Sequence, residues 1–171
     1  QQHASCFLKS VQDSAPLAMR QSGSPLQFVL AADSERWCNV LRHDHDNLRA
    51  ALRWCLGEGK DIHTGIQLTQ WLNTYWHFRG YCAEAAEWLA TALVYIDAVT
   101  LPQIRVRVLT ALVDAANVIG DYVTAQSAAE EALAISRQLD SDHELMRSLQ
   151  MSAHNLMCRG HHADALPLLE E

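Results

Sequence analysis

Gly80, Gly120 and Gly160 stand forty residues apart, and each is followed at the fifth place by an alanine: Ala85, Ala125 or Ala165. The register holds at the twelfth place, where Ala92 and Ala132 each precede a leucine, Leu93 or Leu133. A fixed period of this length predicts one supersecondary unit copied along the chain, each copy burying its face only against its neighbours. Small residues after each glycine predict a second helix that approaches its partner closely, while the leucine fills the groove between copies. The glycine itself ends the first helix, where a left-handed residue lets the chain reverse tightly.

Apolar residues recur at helical spacing through most of the chain, and alternating strand-like runs are missing. The expected fold is therefore all-α, a right-handed superhelical stack of antiparallel helix hairpins with about nine helices. Helices are predicted over 3–19, with Pro16 ending or kinking the last turn, then over 26–41 and 44–56, with breaks at SGSP (22–25) and GEGKD (57–61). Three pairs follow: 62–79 with 82–96, 102–119 with 122–139, and 142–159 with 161 onward. Residues 1–60 then form lead-in helices packing on a solenoid, and residues 61–171 form three hairpins, the last of them truncated. The LLEE ending within a helix, and a start without Met, give the sequence the look of a piece of a longer protein. Thr100 and Ser141 are expected N-caps, Ser141 with Glu144 in capping-box spacing, and Pro102 suits a first turn.

The formal net charge of −7, with only 13 Lys and Arg, leaves no excess of cations to displace counterions from nucleic acid, so no direct nucleic acid contact is expected. No apolar run reaches the ~20 residues of a membrane span, and QQHASCFLKS lacks the pattern of a secretion signal. Five scattered cysteines without a CxxC pair are expected to be reduced, in a cytoplasmic setting.

Two clusters invite a metal reading. In HDHD (43–46), His43 and His45 are two apart and point in different directions on a helix, so capping by Asp44 or Asp46 is the better explanation. His154, Cys158, His161 and His162 reach a common point only if the glycine turn folds both later histidines back, so no metal and no cofactor are expected. There is no GxSxG elbow and no recognisable Cys–His catalytic motif, so this chain is not expected to be an enzyme. Among the aromatics Trp71, Tyr75, Trp76, Phe78 and Tyr81, most are expected in the core, with Trp71 and Phe78 nearest a groove.

Glycine, an aromatic two residues on (Tyr122, with Cys82 and His162 in the other copies), alanine three later and then alanine-leucine resembles the tetratricopeptide repeat. The usual unit is ~34 residues, so a forty-residue copy implies longer connections between hairpins. HDHDNLRAALRW (His43 to Trp54) with QLTQWLNTYWHFRGYCAEAAEWLATAL (Gln67 to Leu93) is similar to the helical arm of large signal-transducing ATPases, including the maltose-activator-like bacterial transcription regulators. That likeness implies a nucleotide-binding domain elsewhere in a parent protein, since no GxxxxGK[ST] loop occurs here.

The repeat's concave positions, carried over by this resemblance, fall on Gln67, Gln70, Thr74 and His77, on Arg107, Thr110, Asp114 and Asn117, and on Arg147, Gln150 and His154. The implied role is a non-catalytic sensor arm that holds a protein or peptide partner, or a small-molecule effector, with no membrane contact and with self-association through the solenoid as a further option. The alternative is a free-standing adaptor that binds peptides. A carboxylate clamp of that class wants several converging donors, whereas its positions here are Gln70, Thr74, Ala111, Arg147 and Met151, of which only Arg147 suits.

Overall fold

The structure, a computed structural model, describes residues 2–15, 31–58, 60–99 and 102–171, with the side chains of 2, 3, 31–34 and 97–99 excepted. The described residues are all-helical apart from turns, and their helices pack against neighbours in sequence order. In order they are α1 (Gln2–Ser14), α2 (Ala31–His43), α3 (His45–Leu52), α4 (Ile62–Arg79), α5 (Cys82–Val99), α6 (Pro102–Val118), α7 (Tyr122–Ser136), α8 (Asp142–Cys158) and α9 (His162–Glu170). Pro16, the SGSP break, the 26–30 start expected for the second helix and the Thr100 cap lie outside the described residues. Contacts group the chain into two compact units, Gln1–Ala92 and Leu93–Glu171.

The three glycines close their helices in the same way. Each has a positive φ, 72° at Gly80, 79° at Gly120 and 81° at Gly160. At each, the residue after glycine donates its N–H back to the carbonyl five residues earlier: Tyr81 to Trp76 at 2.8 Å, Asp121 to Ala116 at 2.9 Å and His161 to Leu156 at 2.9 Å. A side chain at φ near +75° is strained, so glycine fixes where each first helix ends. The alanines at the fifth place, Ala85, Ala125 and Ala165, are all buried, as are Ala92 and Ala132. Leu93 and Leu133 are half-buried.

In the first unit α1, α2 and α3 pack on α4. Trp37 is buried and donates its indole N–H to the Val11 carbonyl at 3.3 Å, which satisfies the one polar atom of that side chain. The helix expected over 44–56 ends as an α-helix at Leu52 and widens into a π-helical turn, Arg53–Gly57. That turn carries Cys55 and Leu56 into full burial beside Gly65 of α4. Tyr75 and Trp76 lie in the core, Trp71 and Tyr81 are half-buried, and Phe78 is exposed.

In the second unit α6 packs against both α7 and α8, and α8 against α7 and α9. Pro102 is the first residue of α6, as its missing N–H favours. Asp121 caps α7 through its carboxylate, which accepts from the Thr124 N–H at 3.1 Å and the Thr124 hydroxyl at 2.7 Å. These bonds hold the Asp121 carboxyl below its ordinary range, the hydroxyl bond contributing most. Among the described residues no helix is long and apolar enough to cross a membrane.

Candidate functional site

On α6 the polar residues Arg107, Thr110, Asp114 and Asn117 recur at three- and four-residue steps and so share one side of the helix. Helix α8, the first helix of the next hairpin, meets that side with Glu144, Arg147 and Asn155. Three cross-helix bonds result. Arg107 Nε donates to Glu144 Oε1 at 2.7 Å, Arg147 Nε donates to Thr110 Oγ1 at 2.8 Å, and Asn155 Nδ2 donates to Asn117 Oδ1 at 2.8 Å. The Thr110 hydroxyl in turn donates to the Arg107 carbonyl at 3.1 Å.

The lattice is largely withdrawn from water. Glu144, Thr110, Asn117 and Asn155 are buried, while Arg107, Asp114 and Arg147 are half-buried. Burial pushes the Arg147 guanidinium down to about 10; the nearby Arg107 charge adds to the fall, and the Glu144 and Asp114 carboxylates oppose it. It stays cationic at neutral pH, so the site keeps two cations and two carboxylates in close company. Two buried polar atoms of this cluster, Glu144 Oε2 and Asn117 Nδ2, have no hydrogen-bond partner among the described residues, and the same holds for Ser152 Oγ elsewhere on α8.

This arrangement corrects two expectations. The first concerns Ser141, which does cap α8: its hydroxyl accepts from the Glu144 N–H at 3.5 Å. Glu144 does not close a capping box, however, because its carboxylate is spent on Arg107. The second concerns the groove: Thr110, Asn117 and Arg147, expected to face a ligand, bond to the neighbouring helix of their own chain. The sole candidate for a carboxylate clamp, Arg147, is thus already engaged. Gln150 is exposed and His154 is half-buried on α8.

The groove residues expected in the first hairpin stand on α4 in the other unit. Gln67 and Gln70 are half-buried, with Gln70 Nε2 lacking a partner, Thr74 is buried, and His77 is exposed with its ring edge-on to Phe78 at 6.2 Å.

HDHD resolves into packing. Asp44 occupies the N-cap position of α3 but makes no side-chain capping bond; its carboxylate accepts instead from the Asn47 amide at 3.3 Å, and Asp46 is exposed. His45, the residue the sequence undersold, turns inward. Its Nδ1 lies 3.1 Å from the Tyr75 hydroxyl, its Nε2 lies 3.2 Å from Glu84 Oε2, and its ring centre lies 4.8 Å from that of Tyr81, tilted by 34°. Arg49, one turn on, takes both Glu84 oxygens at 2.9 and 2.6 Å. The (i, i+4) spacing of His45 and Arg49 was the available signal. The cluster fastens α3 to α4 and to the start of α5.

Of the second histidine group, Cys158, His161 and His162 are exposed, and His161 Nδ1 lies 3.4 Å from Asp164 Oδ2. Among the described residues no three His, Cys, Asp or Glu side chains gather as a metal would require. Compared with models of protein families, with curated proteins and with solved structures, the chain matches none.

Proposed function

We propose that this chain is a non-catalytic, tetratricopeptide-like sensor arm of a larger signal-transducing ATPase, of the kind found in maltose-activator-like transcription regulators. It binds a protein partner or a small effector and passes the resulting bias to a neighbouring domain. The observation that supports this reading is the lattice between α6 and α8, in which hydrogen-bonded polar side chains join successive first helices and leave Glu144 Oε2 and Asn117 Nδ2 over. A ligand that donates to Glu144 and accepts from Asn117 favours this helix spacing, whereas one that competes for Thr110 or Asn155 favours another. A ligand acts on the parent protein only through such a difference between arrangements.

Two measurements test the reading. The coding sequence on the amino-terminal side should encode a GxxxxGK[ST] loop within a few hundred residues; a gene without one removes the ATPase parent. Thermal melting of the 171-residue chain should then be followed against a panel of sugars, nucleotides, amino acids and unstructured peptides. One class should raise the midpoint, with the rise lost in Asp114→Asn. A panel in which no class raises it would sink the sensor role.

A further inference from the structure

We draw no further inference here: the strongest candidate, the exposed apolar patch of Val118, Ile119, Tyr122 and Val123 at the turn between α6 and α7, carries none, because nothing in the structure shows what covers it.

Discussion

Arg107 on α6 and Glu144 on α8 are joined at 2.7 Å across two hairpins, with the arginine side chain 38% exposed and the glutamate 2%. The asymmetry decides what each contributes. Glu144 has given up its water, Arg107 is the donor nearest its Oε1, with His143 Nδ1 farther off at 3.7 Å, and Oε2 has no hydrogen-bond partner among the described residues. Arg107→Ala should therefore cost about 2–3 kcal/mol in urea unfolding, the scale of a charge-assisted bond lost to a buried group. The exposed pair Arg137 with Glu171, at 2.6 Å, provides an internal comparison: Arg137→Ala should cost about 0–1 kcal/mol. Arg107→Met combined with Glu144→Leu should recover part of the loss, because the buried carboxylate goes with its cation while Arg147 keeps Asp114 beside it. Equal losses for Arg107→Ala and Arg137→Ala would show that the buried carboxylate finds another partner.

Gly65 allows a close approach that its helical position would otherwise argue against. Glycine to alanine inside a helix ordinarily gains about 1 kcal/mol. Here a Cβ would come within 2.6 Å of Leu56 Cδ2, 2.7 Å of Leu56 Cγ and 2.9 Å of Cys55 Cβ, and both neighbours are fully buried in the π-helical turn. Overpacking costs about 1–3 kcal/mol and reverses the sign. Gly65→Ala should lower the denaturation midpoint, and the loss should shrink on a Leu56→Ala background, a coupling that a double-mutant cycle reads directly.

The contrast between these two sites explains what the sequence disclosed. Gly80, Gly120 and Gly160 announce their role because a positive φ admits few residue types, and Ala85, Ala125 and Ala165 do so because a close helix contact admits only small ones. Fold class and hairpin order follow from such local restrictions. The lattice was not legible in the same way. Arg107, Asp114, Asn117 and Arg147 form polar stripes whether they face water, a ligand or another helix, and the bonding offset of 37 between Arg107 and Glu144 differs from the forty-residue period that the eye follows. His45 was hidden for the same reason: its partners Tyr75 and Glu84 lie 30 and 39 residues away, and helix phase alone does not select them. Gly65 and the π-helical turn lack any periodic mark.

Thiol chemistry gives a direct reading of packing. Cys6 and Cys158 are exposed, whereas Cys38, Cys55 and Cys82 are buried. Burial pushes the Cys38 and Cys55 thiols up to about 11, and the Asp61 carboxylate adds to the rise at Cys55. At pH 8 a disulfide reagent should therefore titrate two of the five thiols quickly in the native chain and all five after unfolding. Fast reaction of three or more in the native state would contradict the core described for the first unit.

Tyr75 gives the fold an alkaline edge. Burial raises its hydroxyl from the usual 10 to about 12, with the neighbouring Tyr81 adding to the rise and Arg79 opposing it. A group whose folded value is raised contributes stability that is complete below the unfolded value and lost as pH climbs through the folded one, so this contribution fades between about pH 10 and 12. The native state holds the proton in that window and the unfolded chain releases it, so unfolding free energy should fall by up to about 1.4 kcal/mol per pH unit from this residue alone. The Cys38 and Cys55 thiols begin the decline earlier, between about pH 9 and 11. Tyr75→Phe removes the hydroxyl that faces His45 and should lower stability at neutral pH, yet flatten the slope between pH 10 and 12. A variant whose alkaline slope matches that of the parent chain would place the titration on other groups and remove Tyr75 as its cause.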